Sequence, residues 1–368
     1  MNSKMFLFPT LLLALFSGCT HGLTPEEMKK VDNAVKEVIR GDKLPTAVRL
    51  AFHDCVGGCD GCLNVNDADN AGFNDLMEAL EKVYQAKKLG DIISRADFWV
   101  YGSIYAIEKT VELANENCFT NDCHVPKPNL KFQYGRIDCP SSPYSEEHLL
   151  YPSPNFDYQG VVSYFENEFG FTANETVALM GVHTLGKASR NNSGFMGKWV
   201  ENEESMFSNS YYKLLKDAMW FQVNLTPDEE AHFQWNAPRK GFMLNSDMAI
   251  YKDMKLNEAG ESSCNYTTCP LSQGASLVQI YSDSNAVWIE DFAAVYSKMI
   301  SHGDFTLSNL VEDPSSSEDK SPTDKPRVPK STTKENATVS STSSSSSSAR
   351  HFFITYTLLV ALFIINYV

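Results

Sequence analysis

The chain has 368 residues, 43% hydrophobic and 21% charged, with nine cysteines and a formal net charge of −15. That much apolar residue can bury a large core, which excludes a mostly disordered chain. The acidic balance, 46 Asp and Glu against 31 Lys and Arg, argues against nucleic acid as the main partner.

Residues 5–16, MFLFPTLLLALF, form a short apolar run behind Lys4, with small residues after it. This is the pattern of a secretory signal peptide, assigned to residues 1–22 with cleavage after Cys19 or Gly22. Either cut leaves eight cysteines, at positions 55, 59, 62, 118, 123, 139, 264 and 269. An even number in an oxidising compartment predicts up to four disulfides, whose pairing the sequence leaves open. Sequons at Asn174, Asn191, Asn224, Asn265 and Asn336 fit the same route.

Thr24-Pro25-Glu26-Glu27 reads as a capping box opening a helix with Met28, Val31, Val35 and Val38 on one face. The next helical pattern, TAVRLAFHD at 46–54, follows Pro45. Arg49 and His53 are four apart and share a face of it. The guanidinium should depress the His53 pKa and leave a neutral imidazole able to accept a proton. His53, Cys55, Cys59 and Cys62 also have zinc-like spacing, against which the oxidising route favours disulfides.

Phe73, Leu76, Met77, Leu80 and Val83 repeat at helical spacing, and residues 96–113 form a long helical pattern around Phe98, Tyr101 and Tyr105. A second capping box, Thr172 to Glu175, opens a helix through Val182 that ends at His183, between Gly181 and Gly186. That imidazole could ligate a metal or haem iron through one nitrogen, with Asp247 a candidate for a buried carboxylate on the other. Trp288, Phe292, Val295 and Met299 make a last stripe. Alternating strand patterns are scarce, so residues 23–310 are predicted to form one mainly α domain. Residues 311–351, rich in Ser, Thr, Pro, Lys and Glu, read as a disordered stalk. The uncharged tail, residues 352–368, reads as a GPI-attachment signal or a short membrane anchor.

RLAFHDC at 49–55 followed by ALMGVHTLGKA at 178–188 resembles the plant-type haem peroxidase superfamily. SRADFWVYGSIYAIE at 94–108, SNSYYKLL at 208–215 and NSDMAIY at 245–251 extend the likeness, as does Trp199, sixteen residues after His183. These are similar to the class I branch of ascorbate and cytochrome c peroxidases. The resemblance implies an all-α, two-lobed fold of about ten helices, with one haem b between the lobes. It assigns His53, Arg49 and Asn70 to the distal side and Phe52 to the distal aromatic. It makes His183 the iron ligand, Asp247 its hydrogen-bond partner, Trp199 the proximal Trp and Pro152 a haem-edge proline. It implies reduction of hydrogen peroxide through a ferryl intermediate, coupled to oxidation of a small donor by a monomeric enzyme, which the leader and tail would place at the cell surface or outside the cell. The alternative is a catalytically weak surface or matrix protein on the same fold.

The chain also departs from the class I pattern. Phe52 and the following Asp54-Cys55 look like the secreted branches, which bind a distal calcium. Asp54 and Asp60 match two of its carboxylates, but Cys62 stands where a Ser usually ligates. In the proximal cation loop Thr184 and Asn202 are retained, whereas Val200 and Ser208 replace an expected hydroxyl and carboxylate. The Arg that contacts ascorbate in relatives aligns with Asn192, which turns the expectation towards a phenolic donor.

Overall fold

The computed structural model describes residues 22–120, 123–226 and 232–310. The expected stalk and tail, and all but the last residue of the expected leader, lie outside the described residues. Among those described, no helix is long and apolar enough to cross a membrane.

Eleven α-helices appear among the described residues. The first four are α1 (Pro25–Val38), α2 (Lys43–Cys55), α3 (Asn74–Ala86) and α4 (Arg95–Glu116). Then come α5 (Tyr158–Phe169), α6 (Ala173–Met180), α7 (Arg190–Ser193) and α8 (Ser210–Asp217). The last three are α9 (Asn245–Ala249), α10 (Ala275–Asp283) and α11 (Asn285–Met299). This is the expected all-α fold. Both predicted capping boxes form: Thr24 and Thr172 each accept from the backbone N–H three residues on, and Glu27 and Glu175 return the bond.

The helices associate in two groups. In the first, α2 lies along α4, while α1 packs on α3 and α4. Gly102 permits this closeness, because a Cβ there would sit 2.6 Å from Ile39 Cδ1. Gly costs a helix interior about 1 kcal/mol relative to Ala, and the close packing of α4 offsets that cost. In the second group α6 packs on α11, α8 on α10, and α5 on α6 and α9. Its core is aromatic: Phe207 lies 4.7 Å from Trp288 and 4.8 Å from Phe292, ring centre to ring centre. A buried ion pair joins the groups. Arg136 Nη1 meets Asp97 Oδ1 of α4 at 2.6 Å, and Arg136 Nε donates to the Ile300 carbonyl just beyond α11 at 3.0 Å.

Strands are few and short. β1 (Gln133–Tyr134) pairs antiparallel with β7 (Ser308–Asn309), and β2 (Lys187–Ala188) with β3 (Gly197–Lys198). The one larger sheet orders β4 (Phe221–Asn224), β5 (Phe233–Ala237) and β6 (Gly241–Met243) antiparallel. Runs of three to five residues are too short for a period of two to show in sequence.

All eight cysteines among the described residues are paired: Cys55–Cys59, Cys62–Cys139, Cys118–Cys123 and Cys264–Cys269. This excludes the zinc reading, since no thiolate is left at Cys55, Cys59 or Cys62. Three bridges close loops of four or five residues, whereas Cys62–Cys139 spans 77. In a chain-entropy account the long loop contributes about 4.5 kcal/mol and a five-residue loop about 2 kcal/mol. Replacing Cys62 and Cys139 by Ser should therefore lower stability in denaturant titration about twice as much as the same change at Cys264 and Cys269. Equal losses would show that the long bridge only decorates a preformed contact.

Candidate active site

The distal set grows out of α2. Arg49 and His53 sit one turn apart, and Arg49 Nε donates to His53 Nε2 at 3.2 Å. A guanidinium only donates, so that imidazole nitrogen must be unprotonated. The ring proton is then on Nδ1, which donates to Asn70 Oδ1 at 2.8 Å. Asn70 is itself oriented, since its Nδ2 donates to the Asn64 carbonyl at 2.9 Å. One tautomer follows from this chain of contacts: a neutral His53 with its Nε2 lone pair facing Arg49.

The electrostatics agree. Burial pushes the His53 pKa well below 6.5, the nearby Arg49 charge lowers it further, and the Asn70 bond opposes only part of this. Arg49 Nη1 and Nη2 donate to the carbonyls of Ala71 and Asp69, at 3.0 and 2.6 Å, and its guanidinium lies 4.2 Å over the Phe73 ring. Much of its surface is open to solvent. The protein around it still draws its pKa down to about 10 by desolvation, so it remains a cation at neutral pH. Phe52 meets His53 edge-on at 5.5 Å and packs towards Phe165 and Phe169.

The proximal set forms where α6 tightens into a 3₁₀ turn, Gly181–Thr184. Gly181 allows that turn to press inwards, because a Cβ would lie 2.5 Å from the Tyr212 hydroxyl and 2.6 Å from Trp288 Nε1. His183 Nδ1 bonds to Asp247 Oδ1 at 2.6 Å. The His183 side chain is 30% exposed and Asp247 is not exposed at all. Trp199 stacks on His183 at 4.5 Å and donates from Nε1 to Asp247 Oδ2 at 2.8 Å. Two further donors complete the carboxylate. Tyr211 OH reaches Oδ1 at 2.9 Å, and the Leu244 N–H reaches Oδ2 at 2.8 Å. Burial alone would raise the Asp247 pKa; the charge and bond of His183, with the other donors, more than reverse this and hold it below the ordinary value.

The two sets are neighbours. A Cβ on Gly186 would lie 3.3 Å from Pro45 of α2, and one on Gly72 would lie 2.6 Å from Asn192 of α7. The residues fit a haem. An imidazole whose Nδ1 is taken by a buried carboxylate presents Nε2 to iron. The cation sites are less complete. Asp54 is buried, with the Cys62 N–H on Oδ1 and, among the described residues, no hydrogen-bond partner for Oδ2. Burial, then the charge of Asp60, raises its pKa well above the usual range. The nearest cluster of possible ligands, Asp60 with Cys62 and Cys139, is broken by the disulfide. Calcium takes six to eight oxygens, and these side chains supply two carboxylates. On the other side Thr184 Oγ1 is buried without a partner among the described residues, and Asn202 has a left-handed backbone.

The structure thus unites Arg49, His53 and Asn70, and separately His183, Trp199 and Asp247. Pro152 follows Tyr151, which stacks on His53. Sequence reasoning missed Tyr211, Tyr151 and Asn64. Tyr211 sits in a run of helix-patterned aromatics that reads as core, and nothing in the spacing marks it.

A family model described as Peroxidase matches residues 28–263, more than half of the chain. The chain belongs to the peroxidase family, in the plant-type haem peroxidase superfamily, whose members are oxidoreductases acting on hydrogen peroxide. It is similar to a "Putative heme-binding peroxidase" of Debaryomyces hansenii, at 27% identity over 76% of this chain. That match spans 60% of the relative's length. It is similar to "Cytochrome c peroxidase, mitochondrial" of Cryptococcus neoformans var. grubii, at 27% identity over 76% of this chain and 68% of the relative. The protein of that same name in Candida glabrata is 26% identical, over 81% and 80% of the two chains.

Asp247→Asn turns an acceptor of four hydrogen bonds into a group with its own donors, set against buried N–H groups. It should cost about 3 kcal/mol in chemical denaturation. An unchanged midpoint would mean that the carboxylate is not held as described.

Proposed function

We propose that this chain is an active haem peroxidase in which Arg49, His53 and Asn70 carry out the proton chemistry of peroxide cleavage. The observation that carries this reading is the fixed tautomer of His53, whose Nε2 is an unprotonated base beside a permanent cation. His183 is the residue that would hold the haem, with Asp247 and Trp199 behind it. When bound, haem would supply the redox-active iron that peroxide reduction needs.

The protein's part is proton management. His53 Nε2 takes a proton from one peroxide oxygen and returns it to the other, which leaves as water. Arg49 stabilises the charge that develops on that leaving oxygen. Asn70, held by Asn64, keeps the Nδ1 proton in place and so preserves the basic nitrogen. Asp247 makes His183 a stronger donor by accepting its Nδ1–H.

The donor in this reading is a small phenolic molecule, because Asn192 replaces the Arg expected to contact ascorbate. A protein donor is the competing choice, given the relatives named cytochrome c peroxidase. Assays with guaiacol, tyrosine, ascorbate and cytochrome c separate these, and a dominant ascorbate or cytochrome c rate overturns the phenolic choice. A cell-surface location is supported by four disulfides and by exposed sequons at Asn174, Asn191 and Asn265. Calcium at Asp54 and Asp60 rests on the unpartnered Asp54 Oδ2 alone.

His53→Leu should slow the spectral change that follows mixing with hydrogen peroxide by about 10²–10⁴-fold. A stopped-flow rate equal to wild type would remove His53 from the mechanism. The depressed pKa also sets a pH dependence. The peroxide rate should stay level as pH falls through 6.5, with its acid limb below that value. Unfolded imidazole binds a proton in that range and the folded ring does not, so stability should fall as pH drops below 6.5. A rate profile with its acid limb at or above 6.5 would contradict the buried, neutral His53.

A further inference from the structure

Tyr151 has no part in the proton chemistry above, yet among the described residues it makes the nearest ring contact to His53. The two rings lie 4.4 Å apart and nearly parallel, at 29°. Phe73 meets the imidazole edge-on at 5.0 Å. We propose that Tyr151 is a positioning residue for the peroxide step, its ring fixing the plane of the His53 imidazole.

The need for such a contact follows from the hydrogen bonds. At rest His53 is held at both nitrogens, by Arg49 and by Asn70. To accept a proton from peroxide, Nε2 must leave the Arg49 N–H. Only the Asn70 bond then remains, and the torsion that turns an imidazole is broad and soft. A flat contact on the ring face limits that rotation. The Tyr151 hydroxyl makes a long contact with the His53 carbonyl, at 3.4 Å, and a side-chain contact with Asn70. The positioning role is assigned to the ring face, which the phenylalanine variant separates from the hydroxyl.

The chain presents that ring by plain geometry. Residues 145–151 form neither helix nor strand, and their alternate side chains face one way. Ser145, Glu147, Leu149 and Tyr151 line one cavity with Gly57 and Asn64. Leu150 points away and is 86% exposed. The segment is fastened to the loop that carries Asn70. The Ser145 N–H donates to the Leu63 carbonyl, and Asn64 Nδ2 donates to the Glu147 carbonyl at 3.2 Å. The Cys62–Cys139 bridge closes the start of the same arrangement. One segment thus supports both the ring face of His53 and the residue that orients Asn70.

The inference rests on the peroxidase reading, and its test separates the two. The full chain loaded with haem is titrated with cyanide, which binds iron as an anion and gives its proton to the distal base. The peroxide rate, donor-oxidation rate and melting temperature are measured alongside. Tyr151→Leu should lower cyanide affinity and the peroxide rate together by about ten- to a hundredfold, the scale of a small misplacement. The donor step at saturating peroxide should not change. Tyr151→Phe should behave as wild type, as should Leu150→Ala on the opposite face. If Tyr151→Leu does not fold, Tyr151→Gln removes the aromatic face in its place. A leucine variant with wild-type cyanide affinity overturns the inference. So does a phenylalanine variant that falls as far, or a common loss of both rates with melting temperature. A wild-type chain that binds neither cyanide nor peroxide overturns the peroxidase reading and this inference with it.

Discussion

Everything on the proximal side depends on one buried carboxylate. Asp247 has no exposed surface, and a charge in that position is tolerable only if it is fully bonded. Its four donors come from the turn after α6, the β3 edge, α8 and the start of α9. Each hydrogen bond therefore fixes the position of a different element. His183 is aimed because Asp247 holds it, and Asp247 is tolerated because Trp199, Tyr211 and Leu244 share the charge. Tyr211 accordingly competes with His183 for the same oxygen, which tempers the pull on the imidazole.

The distal side uses the opposite logic. There the key group is kept neutral, and the cation beside it is the charged partner. Burial and Arg49 both disfavour a protonated His53. The direction of each hydrogen bond then follows from which atoms can only donate. Two different environments are thus obtained for the same residue type, by giving one imidazole a cation and the other an anion. In the proposed function, this pairing of environments would let one fold combine proton transfer with iron ligation.

Much of this was legible in the sequence, for identifiable reasons. Capping boxes at Thr24 and Thr172 are local signals, and both helices begin there. Arg49 and His53 share a face because their spacing is one helical turn. His183 stood out as a polar residue ending an apolar helix beside glycines. What could not be read were contacts between residues far apart in sequence. Asp247 meets His183 across 64 positions, and Tyr151 meets His53 across 98. The likeness to a known family supplied the first of these and offered nothing on the second. Tyr211 and Tyr151 look like core aromatics in one dimension, and only the fold turns them towards charged or catalytic neighbours. The short strands β4 to β6 escaped because each holds too few residues for alternation to register. The cysteine pairing needed the fold as well.

The pairing of β1 with β7 has a mechanical meaning. Leu23 at the start of the domain donates to the Tyr134 hydroxyl, and Ser308 and Asn309 near its end pair with Tyr134 and Gln133. Entry and exit of the polypeptide therefore meet at one short strand. A pull on the chain at Leu310 would first peel a ladder two residues long, and would reach α11 only after that latch had opened.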